Sequence, residues 1–194
     1  MRKCSADVNH IRLHGAVGEA PVYSHLNHGV EFYTFPLVVR RLSGAEDQVN
    51  VVAPLELLEC CGPLERESEL TVLGEVRTFN NRTGVGSRLV ISAFARELRQ
   101  EPGEDENRLE LSGTLCKTPS LRATPLGRTI CDMILAVNRR YGRADYLPCI
   151  AWGSLAHRCG GMEVGDQLRL TGRLQGRTYT KVSGDRSEER VAFE

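Results

Sequence analysis

Aromatic and arginine side chains are concentrated in one run of the chain, residues 134–153, which reads ILAVNRRYGRADYLPCIAWG. Tyr146 and Trp152 lie six residues apart, so they share a face if the run is extended. Flat rings beside guanidinium groups suit unpaired bases, because a base stacks on an aromatic ring and a phosphate accepts hydrogen bonds from arginine. The same spacing also suits two rings packed against a second sheet. From this run alone, a binding face and a packed face fit the pattern equally well.

Apolar alternation on both sides of the arginines predicts the element that positions these rings. Leu135 and Val137 alternate before residues 139–143, and Leu147 and Cys149 alternate after them. Such alternation around a basic turn predicts two strands of a hairpin with a charged tip. The rings then point away from the face that carries the alternating apolar residues.

The charge balance of the chain differs between its two halves. The 194 residues contain 25 Lys+Arg and 25 Asp+Glu, which gives a formal net charge of zero. Residues 1–106 contain 11 basic and 16 acidic side chains, whereas residues 107–194 contain 14 basic and 9 acidic ones. The zero net charge therefore combines an acidic first half with a basic second half. The length allows one large domain or two small ones.

Cysteine usage and hydropathy exclude several classes of protein. The seven cysteines include no C-x-x-C pair and no histidine at zinc-finger spacing, and their odd number argues against a disulfide framework. No stretch approaches 18 apolar residues, and no signal-type segment follows Met1. We therefore expect no metal or other cofactor, no membrane contact, and a location in a reducing cytoplasm.

The sequence contains an internal repeat with a period of 98 residues. Similar residues pair at this offset along most of the chain, without a gap. The pairs include Asn9 with Asn107, Gly15 with Gly113, Leu37 with Leu135, Arg41 with Arg139, Ala53 with Ala151 and Gly74 with Gly172. So many matches in one register indicate a duplicated domain.

Each half is predicted to contain five strands, with a short helix between the third and the fourth. This order is typical of an all-β fold of tandem five-stranded barrels of the OB type. The predicted strands are 9–18, 30–40, 48–53, 69–79 and 88–95 in the first half, and 107–116, 128–138, 145–152, 167–179 and 188–193 in the second. The helices are predicted at 55–61 and 154–160, and long loops separate the first two strands of each half.

Two further features of the strands and their connection follow from the pattern. Apolar alternation breaks between Phe32 and Phe35 and again between Ile130 and Met133, which predicts a bulge in both second strands. Residues 100–106 are charged, contain Pro-Gly and show no apolar periodicity. The predicted domains are therefore an N-terminal OB fold over 1–99, a linker over 100–106 and a C-terminal OB fold over 107–194.

The second half resembles the bacterial single-stranded DNA-binding proteins over essentially all of residues 107–194. The resemblance is carried by NRLELSGTLCKTPSLRATPLG, LAVNRRYGRADYLPCIAWGSLAH, GDQLRLTGRLQGRTY and the closing EERVAFE. It implies an OB fold that binds single-stranded DNA in a basic groove and stacks bases on aromatic residues, without catalytic activity. Carried over by position, the stacking residues are Tyr141, Tyr146, Trp152 and Tyr179, and the phosphate-binding residues are Arg122, Arg128, Arg139, Arg140, Arg143, Arg173 and Arg177.

The first half keeps the barrel pattern but not these rings. At the offset of 98, the four aromatic positions are occupied by Ser43, Gln48, Pro54 and Asn81. A barrel of this kind therefore does not need the rings to fold, which favours a functional role for them in the second half. We expect the first barrel to be degenerate in binding residues, although Tyr23, Tyr33 and Phe79 leave open a contribution from other positions.

The resemblance also carries expectations about location and assembly. It implies a bacterial protein of the cytoplasm that is associated with the nucleoid. Family members with two barrels form dimers, so we expect a homodimer that contains four OB folds. The sequence stops at Phe193-Glu194, on the fifth strand, and we expect no acidic C-terminal tip to recruit replication or repair proteins.

Three functions remain as alternatives. The first is binding of single-stranded DNA, without strong sequence preference, in replication, recombination or repair. The second is a primosome-like or accessory role in which the acidic first barrel docks a protein partner and DNA binding is weak. The third, an OB-fold nuclease, is disfavoured because no nucleophile, acid–base pair or metal set emerges from the sequence.

Overall fold

The computed structural model describes residues 7–81, 87–183 and 186–194, without the side chains of Tyr141, Lys181, Ser183, Arg186 and Glu188. The chain divides into two compact units. Of the described residues, the first unit contains His10–Leu109 and Gly172–Phe193, and the second contains residues 7–9, Glu110–Thr171 and Glu194.

The described residues form an all-β structure with two short helices and one 3-10 turn. The strands are β1 (Asn9–Val17), β2 (Val22–Asn27), β3 (Val30–Arg40), β4 (Glu46–Pro54), β5 (Glu69–Asn80), β6 (Leu89–Gln100), β7 (Glu106–Leu115), β8 (Ser120–Ala123), β9 (Thr129–Asn138), β10 (Ala144–Trp152), β11 (Gln167–Gly172), β12 (Gly176–Ser183) and β13 (Arg186–Phe193). The helices are α1 (Leu55–Cys61) and α2 (Ser154–Gly160), and the 3-10 turn is Arg140–Gly142.

Strand pairing in the first unit closes a five-stranded barrel. β1 pairs with β3 and with β5, both antiparallel, and β5 pairs with β6. β6 then runs parallel to β4, which pairs with β3 and completes the ring. This closed order, with α1 between the third and fourth barrel strands, is the OB fold that the sequence predicts.

The core of the first barrel contains the side chains that alternate along its strands. Leu13, Phe35, Leu37 and Val51 are all essentially inaccessible to solvent. Burying each such side chain contributes about 1.5–3 kcal/mol. Gly15 lies where β1 changes partner from β5 to β3, and a Cβ there would overlap the backbone carbonyl of Val38. Only glycine permits this close approach of two strands.

The second unit contains a sheet built around β9. β9 pairs with β10 on one edge, and with β7 and β8 on the other, while β11 pairs with β7. Leu111, Leu115, Leu135 and Val137 form its buried core. α2 contributes the buried Ala156 and Cys159.

Most predicted elements of both halves agree with the structure within a few residues. Both helices begin and end within a residue of the predicted positions, at Leu55–Cys61 and Ser154–Gly160. The predicted long loops are only partly irregular, because each contains a short strand, β2 or β8, that pairs back onto the next strand. β6 ends at Gln100 and β7 begins at Glu106. The division into domains at 100–106 stays a prediction.

The predicted fourth strand of the second half, residues 167–179, is interrupted. β11 ends at Gly172 and β12 begins at Gly176, because side chains bind the backbone in between. The Asn107 side chain donates to the Leu174 carbonyl (2.7 Å) and accepts from the Leu174 amide (3.0 Å). The Gly176 amide donates to Asp47 Oδ1 (2.8 Å). These bonds occupy backbone groups that a continuous strand would offer to a neighbouring strand.

The predicted bulges in the two second strands are also wrong. The pairing of β3 with β4 runs without a shift from Phe32 opposite Pro54 to the end of the hairpin, and β9 pairs with β10 equally regularly. Phe32 and Phe35 are nevertheless both buried, despite their odd spacing. Phe32 is covered on its own side by Phe94, whose ring centroid lies 5.6 Å away. Both faces of β3 are therefore covered at this point, so the two phenylalanines can both be buried without the extra residue of a bulge.

Candidate nucleic-acid interface

The β9–β10 hairpin presents one face to the core of the second unit and the other to solvent. Its register is unbroken from Ala144 opposite Asn138 to Trp152 opposite Ile130. Odd-numbered residues such as Leu135 and Leu147 are buried. Even-numbered residues of β10 therefore lie on the outer face, since successive side chains of a strand point to opposite sides.

Tyr146 and Trp152 both lie on this outer face. Tyr146 is 55% exposed and Trp152 is 49% exposed. Six residues separate them, which corresponds to roughly 20 Å along the strand. Pro148 and Ile150 lie between them on the same face and are half-buried. The two rings thus stand at the ends of a mildly apolar strip that is long enough to follow several nucleotides.

The tip of the hairpin is a tight basic turn. The Arg139 amide donates to the Arg143 carbonyl (2.7 Å), and Gly142 has a positive φ of 72°, which glycine adopts without strain. Arg140 and Arg143 have exposed side chains. Tyr141 lies in the 3-10 turn, but its side chain is outside the described part of the structure, so its predicted stacking role stays a prediction.

Arg139 differs from its neighbours because it forms an ion pair with a fully buried carboxylate. Asp145 has no exposed side-chain surface, while that of Arg139 is 22% exposed. The guanidinium donates through both Nε and Nη2 to the two oxygens of Asp145. The sequence did not single out this pair. The one feature of the sequence that could have indicated this ion pair is the presence of a basic residue and an acidic residue on either side of the hairpin turn.

Arg122 and Arg128 flank the β8–β9 turn beside this hairpin. Arg122 Nη2 donates to Asp132 (3.1 Å), and this hydrogen bond is the largest cause of a raised pKa for Arg122. Arg128 is exposed, and its backbone closes the turn by hydrogen bonds with Thr124. Leu126, at the tip of the turn, is 85% exposed and is a further candidate contact that the sequence pattern did not indicate.

The remaining predicted residues belong to the first unit, which includes the β12–β13 hairpin. Tyr179 lies opposite Arg190 in this hairpin and is 36% exposed. Arg177 lies two residues earlier on the same face and is also exposed. Arg173 precedes β12, and its Nε donates to Gln175 (3.1 Å). Tyr179 and Arg177 thus form a second basic and aromatic surface on one strand.

Comparison with known proteins agrees with this geometry. Residues 106–193 match the model of the single-strand binding protein family. A single-stranded DNA-binding protein of Clostridium acetobutylicum is 35% identical over 88 residues, which are 41% of this chain and 80% of that protein.

The chain belongs to the single-strand binding protein family.

Other family members match the same share of the chain. A Clostridium tetani member is 36% identical over 87 residues, and so is single-stranded DNA-binding protein A of Bacillus subtilis. Each match covers 41% of this chain, and the chain spans only 60% and 51% of the length of these two relatives. The crystal structure of the wild-type single-stranded DNA-binding protein from Thermus aquaticus has a TM-score of 0.76 at 24% identity, covering 98% of this chain and 93% of that one. This likeness extends the fold of the family to both halves.

The first barrel carries a different set of side chains on its outer face. Glu75, which replaces Arg173 at the offset of 98, accepts hydrogen bonds from Arg77 (2.6 Å) and Arg96 (3.2 Å). Partial burial raises the pKa of Glu75, but the bonds and charges of the two arginines outweigh it and lower the pKa overall. Both guanidinium groups lie over the ring of Phe94, at 4.8 and 5.0 Å from its centroid.

The buried ion pair of the hairpin is repeated in the first barrel. Arg41 donates to Asp47, of which only 1% of the side chain is exposed, and also to the Gly176 carbonyl (3.0 Å). These residues are the counterparts of Arg139 and Asp145 in the repeat. The pair therefore belongs to the architecture of the barrel and not to one binding site. Among the described residues, no helix is long and apolar enough to cross a membrane.

Proposed function

We propose that the chain binds single-stranded DNA, without strong sequence preference, on the outer face of the β9–β10 hairpin. The observation that carries the proposal is the exposure of Tyr146 and Trp152 on one face of a strand beside the exposed Arg128, Arg140 and Arg143. Unpaired bases stack on such rings in any sequence order, because every base has a π-face. Membership of the family supports the same ligand.

The predicted residues divide into distinct roles under this proposal. Tyr146, Trp152, Tyr179 and Tyr141 stack bases, each contributing about 1–3 kcal/mol. Exposed arginines bind phosphates and set the salt dependence of affinity. Arg139 acts mainly through Asp145, and Arg122 is shared between Asp132 and phosphate.

We propose that the biological role lies in replication, recombination or repair, and that the protein acts as a homodimer with four OB folds. The mass of one chain is 21.5 kDa, so light scattering at micromolar concentration should give about twice this value. A monomer under these conditions would contradict the dimer and leave DNA binding untouched.

The test of DNA binding is a fluorescence titration with oligo-dT at low salt. Trp152 is the one tryptophan of the chain, so stacking on it should quench the protein's tryptophan emission. Raising the salt concentration should reverse the quenching, because arginine contacts to phosphate release counterions. Unchanged emission at saturating oligonucleotide and low salt would exclude Trp152 as a stacking residue.

A further inference from the structure

An edge strand of the first barrel exposes apolar side chains. All six residues of β2 are exposed, and Val22, Tyr23 and Leu26 are each more than half exposed. Among the described residues, β2 pairs only with β3 and is the last strand in the order of its sheet, so its other edge is free. Natural edge strands usually carry lysine, proline or inward-pointing charges that prevent another strand from adding to them. The sequence of β2, VYSHLN, contains none of these, and a register shift between Tyr23 and His25 is the feature of this strand that works against the addition of another strand.

An irregularity in β2 concentrates aromatic, apolar and acidic groups on one face. Tyr23 lies opposite Tyr33, and Leu26 lies opposite Glu31, because the register shifts between Tyr23 and His25. All four side chains consequently lie on the same face of the hairpin, since cross-strand partners share a face. The two tyrosine rings meet edge to face with centroids 5.9 Å apart, and the Tyr33 hydroxyl donates to Glu31 (3.4 Å).

The electrostatic surroundings of this face are negative. Residues 13–39 and 42–65 contain no lysine or arginine, so β2, most of β3 and α1 contribute no such cation. Partial burial, then the negative charge of Glu31 and, more weakly, that of Glu59 on α1, raises the pKa of Tyr33. Arg77 and Arg96 stand over Phe94, but Glu75 pairs with both of them.

We propose that β2 and the face formed by Tyr23, Leu26, Glu31 and Tyr33 dock an extended basic segment of another protein, which adds as a strand to the free edge of β2. Strand addition supplies backbone hydrogen bonds, and alternate side chains of the added segment supply specificity. Lysine or arginine at alternate positions would point to the face that carries Glu31 and Glu59. The apolar residues between them would point to the opposite face, beside Val22 and His25.

The negative charge of this face argues against two other binding partners, single-stranded DNA and a second copy of this chain. Single-stranded DNA needs cations for its phosphates, and the nearest carboxylates would repel them. A second copy of the same hairpin would bring its own Glu31 and Glu59 against the first set, which is unfavourable without compensating cations. A basic segment of another protein is therefore the occupant that the charge and the free edge favour together.

The test uses the full chain and a defined probe, an alternating lysine–valine heptapeptide blocked at both ends. Titration monitored by amide hydrogen exchange should show slower exchange at the backbone amides of β2 when the peptide is bound. An alternating glutamate–valine peptide should leave these amides unchanged. Equal protection by both peptides, or by neither, would overturn the proposal.

Charge-reversal variants separate this face from general electrostatic attraction. Glu31→Lys with Glu59→Lys should weaken peptide binding by about two- to thirtyfold, as expected for the loss of two exposed ion pairs. Glu65→Lys with Glu104→Lys changes the net charge equally at exposed positions outside this face and should change affinity much less. Equal losses in both double variants would refute a defined site.

Tyr23→Ala distinguishes the occupants. It should weaken binding of the lysine–valine peptide and leave quenching of Trp152 by oligo-dT unchanged. If it instead weakens binding of the oligonucleotide, the face binds DNA and the proposal fails. If Leu26→Lys converts a dimer to a monomer, a second copy covers the edge and the proposal also fails. If oligo-dT does not quench Trp152, the proposed DNA binding is contradicted, but the docking of a basic segment on β2 is not affected.

Discussion

Two adjacent arginines at the tip of the β9–β10 hairpin should affect different properties of the protein when each is replaced by glutamine. Arg139 is paired with the fully buried Asp145, whereas the side chain of Arg140 is exposed. Arg139→Gln removes the cation that neutralises a carboxylate inside the second unit. Arg140→Gln removes a cation from the surface only. The first change should therefore reduce stability, and the second should reduce DNA affinity.

The size of the stability effect follows from the burial of the pair. Breaking a buried ion pair by removing one partner costs about 3–5 kcal/mol. Arg139 retains 22% of its side-chain exposure, which allows some water to replace it, so we expect the lower end, about 3 kcal/mol. Surface substitutions without such partners stay within about 0.5 kcal/mol, which is the expectation for Arg140→Gln.

Urea unfolding followed by the fluorescence of Trp152 reports on the second unit, which contains this tryptophan. With a urea dependence of about 1–3 kcal/mol per molar, a loss of about 3 kcal/mol lowers the midpoint by about 1 M or more. The midpoint of Arg140→Gln should match that of the unchanged protein. In oligo-dT titrations, Arg140→Gln should reduce the slope of log affinity against log salt by about 0.7, the value for one phosphate contact on a single strand.

A double variant supplies the control. Arg139→Gln combined with Asp145→Asn removes both charges, so part of the lost stability should return. Equal midpoints for Arg139→Gln and Arg140→Gln would refute the assignment of Arg139 to a structural pair. A larger loss in the double variant than in the sum of the single ones would refute it as well.

Three further outcomes are expected. Trp152→Ala should weaken oligo-dT binding by about 1–3 kcal/mol, measured by polarisation of a labelled oligonucleotide, whereas Pro54→Ala at the matching position of the first barrel should not; equal losses would mean that both barrels bind. At pH 8, iodoacetamide should modify the exposed Cys116 far faster than Cys149, whose pKa burial raises to about 12, and peptide mass mapping would reveal the opposite order. The folded-state pKa of Glu75 lies below its unfolded value, so its carboxylate stabilises the first barrel above the unfolded pKa and loses that contribution as the pH falls through the folded one. Thermal unfolding of Glu75→Gln should therefore depend less on pH in this acidic window, and an unchanged pH profile would contradict the ion-pair network.

The order of strands and helices along the chain, and the outward direction of the Tyr146 and Trp152 rings, could be predicted because local patterns of apolar residues encode them. Alternation with a period of two marks a strand that is buried on one face, and the offset of 98 tests each element twice. Tyr146 and Trp152 fall on even positions of β10, and the structure exposes both. Their role in DNA binding stays a prediction, as does that of the arginines.

The interruption of the predicted fourth strand could not be foreseen from local pattern. Residues 167–179 keep strand-like composition, but the Leu174 backbone is bound by Asn107, which lies 67 positions earlier in the chain. The Gly176 amide is bound by Asp47, 129 positions away. Hydrogen bonds between distant segments leave no periodic trace in the segment that they interrupt.

The sequence by itself determined the all-β class, the duplication, the hairpin and the residues that distinguish the second half from the first. These properties depend on which side chains alternate along a strand and on which types recur at a fixed offset. Only the tertiary structure decided that Arg139 neutralises a buried carboxylate while Arg140 faces solvent. It also decided that β2 is the edge strand of its sheet, within the described parts of the chain, and that it carries an acidic aromatic face. Burial, charge pairing and edge exposure depend on segments that are far apart in the chain, so neighbouring residues of the same type acquire different roles only when the chain folds.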